Sequence, residues 1–78
     1  MKIFVVVAER LINHNNSSVV SDHVVVAACQ HQPTEEEQLL FLESHVRGEL
    51  SNGVTEEIVQ RSLRKYGDLD VHEVILRE

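Results

Sequence analysis

Tryptophan is absent from the sequence, and Phe4, Phe41 and Tyr66 are its only aromatic side chains. Three rings are too few for the stacking platforms that hold single-stranded nucleic acids. Cationic side chains are scarce as well: 7 Lys and Arg stand against 13 Asp and Glu, a formal charge of −6. Nothing neutralises phosphates in bulk, so no direct nucleic-acid binding is expected. A single cysteine, Cys29, excludes an internal disulfide framework and a multi-cysteine zinc site. The apolar runs are short, Ile3 to Ala8 and Val24 to Cys29 being the longest. A membrane-spanning helix needs about 20 such residues, and a signal peptide needs a longer stretch with a cleavage site. The expectation is a soluble cytoplasmic chain with no membrane association. Glycine is equally sparse: Gly48, Gly53 and Gly67 form no phosphate-cradling motif and read as helix punctuation.

What is present divides at Pro33. Residues 1–32 are valine-rich and their charges cancel, whereas residues 33–78 carry the whole net charge and are rich in Glu, Leu, Gln and Arg. A chain of 78 residues has room for one domain, hiding roughly 60% of its unfolded surface. The sequence therefore predicts a single compact domain over 1–78, with a β-hairpin over 1–32, a helix pair over 34–66 and a third strand over 69–77. Ile3 through Val7 favour a first strand from Lys2 to about Ile12. Asn13-His14-Asn15-Asn16-Ser17 is a polar turn cluster. Ser18 to about His31 forms a second strand, long enough to be bulged near Ser21-Asp22-His23.

Thr34 followed by Glu37 spells a capping box, with Glu35 and Glu36 in the first turn. Leu39, Leu42, Val46 and Leu50, with Leu40 beside them, make an apolar stripe, and Gly48 marks a stop. Thr55 caps a second helix whose inner face holds Val59, Leu63 and Tyr66, and Gly67 is expected as its left-handed end. The fold class is α+β: a β-β-α-α-β two-layer sandwich, with a three-stranded mixed sheet and two helices packed on one face. If the helices form an antiparallel pair, the third strand starts where the first does. It then lies parallel to the first, in the order 2-1-3, or beside the second, in the order 1-2-3. The apolar density of the first strand favours 2-1-3.

Candidate chemistry is thin. Five histidines include no short ligand spacing, and His23 and His31 stand about 27 Å apart along one strand. Asp70 and His72 share a face and can meet His23 across the sheet, the one arrangement that suggests a metal-dependent enzyme. Ser21 and His23 are about 7 Å apart, beyond hydrogen-bond reach. Cys29 lies in an apolar run without a nearby cation, as an inert thiol does. Arg61, Arg64 and Lys65 form the only basic cluster and suit a helix end. No catalytic residue, metal ligand or cofactor is assigned, and the chain is not expected to be an enzyme.

Shape and surface remain. Neither of the first two strands alternates, so two helices covering one sheet face leave an apolar patch on the other. Phe4, Val6, Val24 and Val26 are candidates for a homodimer face, although alternation does not say which parity meets the helices. Glu35, Glu36, Glu43 and Glu57 are candidates for contact with a protein partner that has a basic surface. In pattern alone, the acidic β-β-α-α-β plan is similar to many short proteins of phages and bacteria, including phage inhibitors of host defence. That likeness implies a stoichiometric binder that occupies a partner's surface, in its sharpest form by acidic mimicry of nucleic acid. The alternative is a small regulatory or ligand-sensing domain with a pocket between sheet and helices.

Overall fold

The computed structural model describes residues 1–50 and 53–77. Its elements are β1 (Lys2–His14), β2 (Ser17–Cys29), α1 (Glu35–Glu49), α2 (Glu56–Leu63) and β3 (Tyr66–Ile75). The class is α+β, and the strand order is β2-β1-β3.

The hairpin closes on two residues, tighter than the polar cluster suggested. Asn15 and Asn16 both take positive φ, 49° and 62°, the requirement of the two-residue turn whose twist matches that of its strands. Asparagine tolerates this region because its side chain bonds locally to the backbone. Each strand thereby extends to His14 and Ser17, which pair. The register then shifts twice. One shift lies opposite the Arg10/Leu11 step and leaves Ser21 without a partner, at the bulge the sequence suggested; the other, at the Val6/Val7 step, skips Val26.

The sheet is not mixed. Both pairings of β1 are antiparallel. A helix pair of equal length would return the chain to its starting end, but α2 has 8 residues against 15 in α1, about 12 Å against about 22 Å. Both ends of α2 therefore stay near the far end of β1. Glu56 at its start holds Arg47 late in α1 at 2.7 Å, and just past its end the Lys65 carbonyl accepts from the Leu11 amide at 2.7 Å. From there β3 can only run back, pairing Arg10 with Tyr66 and Lys2 with Ile75. The same anchoring starts β3 at Tyr66 and ends the helical segment at Leu63. Gly67 is consequently a strand residue, not a left-handed helix end. A Cβ there would stand 2.8 Å from Glu9 Oε1 and 3.2 Å from Leu11 Cδ2. Gly48 is likewise no stop, since α1 continues through it to Glu49.

Parity along β1 decides what is buried. Val6 and Ala8 are fully buried, and Ala8 belongs to one cluster with Leu42, Val46 and Val59. Val26, Leu50, Leu63, Tyr66 and Leu69 pack against that cluster. Of the stripe expected on α1, Leu42, Val46 and Leu50 reach the core, whereas Leu39 and Leu40 remain exposed. With one short helix beside it, α1 buries a narrower face than the sequence stripe spans.

The capping box forms in full. Thr34 Oγ1 accepts from the Glu37 amide, and Glu37 Oε1 accepts from the Thr34 amide, each at 3.1 Å. Replacing Thr34 by Ala should cost about 1 kcal/mol, read as a lower urea midpoint with unchanged slope. Asn16→Gly should raise the melting temperature slightly, because glycine takes positive φ without steric cost; a lower melting temperature would contradict the turn assignment.

Candidate functional site

Two surfaces emerge from this frame. The first is the sheet face bearing the odd-numbered residues of β1. Directly paired residues share a face, so Val5 and Val7 lie with Ala28 and Val25 on one side and His72 and Asp70 on the other. Toward the ends, Leu11 pairs with Val20 and Ile3 with Val74. Val25, Val20 and Val74 are 60%, 45% and 39% exposed, at three separate places on that face.

The four residues singled out for a homodimer face fall mainly on the other side. Val6 is fully buried and offers no surface to another chain. Phe4, Val24 and Val26 are half-buried, with Phe4 and Val24 on the face of Val6 and Val26 packed against the core cluster. Sequence alternation gave no parity for β1, and the two register shifts scramble it in β2. The usable signal was in β3, where half-buried Leu69 and Val71 alternate with exposed Asp70 and His72.

His23, Asp70 and His72 do come to one place. With Val7, Glu9, Asp68 and Leu69 they line a depression of about 380 Å³. Its carboxylates are occupied locally. Glu9 Oε1 accepts from the Asp68 amide at 3.0 Å, and Asp70 Oδ1 from the Val71 amide at 2.9 Å. Among the described residues no group of three or more His, Cys, Asp or Glu is arranged to hold a metal ion. Ser21 does not face His23 as a nucleophile would; its hydroxyl serves Asp22 Oδ1 at 3.0 Å and the Arg10 carbonyl at 3.2 Å. Cys29 is half-buried and donates to the His31 carbonyl at 3.2 Å.

The acidic candidates separate into two kinds. Glu43 is held by Arg47 at 2.8 Å and Glu57 by Arg61 at 3.2 Å. Arg47 also takes both oxygens of Glu56, at 2.7 and 2.8 Å, tying α1 to α2. Its hydrogen bond holds the Glu56 carboxyl below the usual range, and the two glutamates raise Arg47 in turn. Glu35 and Glu36, in the first turn of α1, are exposed. Arg61 is thus consumed within its helix, and of the basic cluster only Arg64 and Lys65 lack an ion pair among the described residues.

The second surface is a cavity of about 420 Å³ where β1 meets the C-terminal ends of both helices. Leu11, Val46 and Leu50 supply its apolar lining, and Arg10, Glu49, Ser62, Lys65 and Tyr66 its polar groups. Tyr66 donates to Glu49 Oε2 at 3.5 Å, and burial together with the Glu49 charge pushes the phenol above its ordinary pKa. His45 stands edge-on to the Tyr66 ring, 6.4 Å between centroids. Its buried Nε2 lies 2.8 Å from Glu49 Oε1 but has no partner in hydrogen-bonding geometry. Reading the sequence linearly missed this group, because Arg10, Glu49 and the Lys65-Tyr66 pair come from three separate stretches of the chain; nothing in their spacing signals convergence.

Comparison with protein-family models, curated proteins and solved structures returns no significant match. The site must therefore be read from its own geometry.

Acid should weaken the frame in a traceable way. The Thr34 amide, then His31, hold the Glu37 carboxyl below its ordinary pKa. A depressed folded pKa lends stability that is present above the unfolded value and lost as pH falls through the folded one. Glu37→Gln keeps an acceptor for the Thr34 amide but cannot titrate. Urea midpoints from pH 7 to pH 3 should fall less steeply in this variant than in the parent protein.

Proposed function

We propose that the chain is a small, acidic, non-enzymatic protein-binding module whose open sheet face is its interaction surface. In this reading the two helices form a second layer over the Val6 and Ala8 side, and the opposite side is kept for another protein. The observation that carries it is a face on which Ile3, Val5, Val7 and Leu11 of β1 are only half-buried and Val20, Val25 and Val74 on the flanking strands are exposed, since soluble monomers seldom leave apolar surface of that extent uncovered without a use.

The first occupant we assign is a second copy of the chain. Two-fold homodimers place the same patch against itself, so a patch must be self-complementary in charge. This face carries the carboxylates of Glu9 and Asp70, each with one oxygen already bonded to a backbone amide, and the imidazoles of His23 and His72, the latter 3.4 Å from Asp70 of its own chain, with no Lys or Arg among its paired strand residues. Each imidazole can meet a carboxylate of the other copy. Elsewhere a surface with net charge −6 repels its own kind. In the assembly, the exposed first turn of α1 with Glu35 and Glu36 remains free to meet a basic partner, the form an inhibitor acting by surface occupation would take. A cytoplasmic location belongs to the same proposal; among the described residues no helix is long and apolar enough to cross a membrane.

A second reading, a regulatory domain that senses a small ligand, is favoured by the cavity between β1 and the helices, whose volume of about 420 Å³ lies within the range of ligand sites.

Val25→Glu tests the first reading. At an exposed position it should leave the monomer folded while burying a carboxylate in the dimer, at a cost of several kcal/mol. Sedimentation should then show a dimer for the parent protein and a monomer for the variant. A stable parent monomer at high micromolar concentration would sink the proposal. Val6→Glu, by contrast, should unfold the chain.

A further inference from the structure

We infer that the cavity between β1 and the helix ends binds a small zwitterion, an α-amino acid with an aliphatic side chain. The inference rests on the ligand-sensing reading of that cavity and names its ligand class. The lining combines charges of both signs with an apolar floor: Arg10 and Lys65 on one hand, Glu49 on the other, and Val46 and Leu50 beneath, with Leu11 at the edge.

The charged groups are not mutually spent. Among the described residues Arg10 forms one ion pair, with Asp22 at 3.7 Å through one nitrogen, and a guanidinium has five donors. Lys65 forms no ion pair among the described residues. Glu49 faces the Tyr66 hydroxyl at 3.5 Å, a long contact, and a His45 nitrogen that lacks hydrogen-bonding geometry. The Arg10 guanidinium is near enough to the Tyr66 phenol to influence it, as Glu49 is. Cation and carboxylate thus flank one hydroxyl.

A ligand whose ammonium and carboxylate share one carbon presents both charges to a lining that holds both signs. Its carboxylate is received by Arg10 and Lys65, its ammonium by Glu49, and its side chain by the aliphatic floor. A simple anion would leave Glu49 facing it unscreened, and a simple cation would face two positive groups. The backbone bond between Leu11 and Lys65, at 2.7 Å, ties the Lys65 backbone to β1 at the edge of the cavity.

The test is an amide NMR titration of the full chain with L-leucine, beside 4-methylpentanoate, which lacks the ammonium, and 3-methylbutylamine, which lacks the carboxylate. Leucine should produce saturable shifts at Leu11, Ser62, Lys65 and Tyr66. Lys65→Gln and Glu49→Gln, both at exposed positions, should each weaken it about tenfold or more, the scale of one charged hydrogen bond. Their unperturbed spectra elsewhere would show that the fold is kept. If either single-charge analogue binds as well as leucine, the zwitterion assignment is overturned while the cavity remains a ligand site. If none of the three gives saturable shifts at the cavity, both the assignment and the ligand-sensing reading fall.

Discussion

The structure depends on β1 being paired along both edges at once. It is the central strand, antiparallel to β2 and to β3, and its fully buried Val6 and Ala8 are the sheet's anchor in the core. Removing apolar area from water contributes roughly 25 cal/mol per Å², and in so small a chain few residues have that option. The buried hydrophobic set comprises Val6, Ala8, Leu42, Val46 and Val59. Four of these five make one cluster joining β1 to both helices. The helices are therefore held by contact with the strand as much as by their own caps.

That narrow core has a consequence on each side. The helices meet β1 through Leu42, Val46 and Val59 against Ala8 and converge near its far end, α2 being too short to run the length of the strand. The cavity lies at this convergence, ringed by side chains from β1, α1, α2 and the start of β3. On the other face Val20, Val25 and Val74 are exposed.

Electrostatics divides the labour differently from what a count of acids suggests. The excess of carboxylates falls in the second half of the chain, but many are used internally: Glu37 in a cap, Glu43 and Glu56 on Arg47, Glu57 on Arg61. Exposed pairs of this kind contribute little each. Together with Lys2 on Glu73 and Arg10 on Asp22, these pairs leave Arg64, Lys65 and Arg77 without an ion pair among the described residues.

Local features were legible in the residues themselves. Thr34 with Glu37, Thr55 before a glutamate pair, two asparagines between valine-rich runs, and a polar interruption at Ser21 each impose their geometry over a few bonds. Such signals survive any packing. The central place of the first strand was legible too, from its apolar density. Strand direction was not, because it follows from how far α2 carries the chain, and that length was set where the Lys65 carbonyl meets the Leu11 amide. Nor was the exposed face: with apolar residues at every position of Ile3 to Ala8, either parity suits a core, and only the seating of Leu42, Val46 and Val59 over Ala8 chose between them. The cavity lay furthest from the sequence, since Arg10, Glu49 and Lys65 become neighbours through contacts between elements, and long-range contacts leave no periodicity to read.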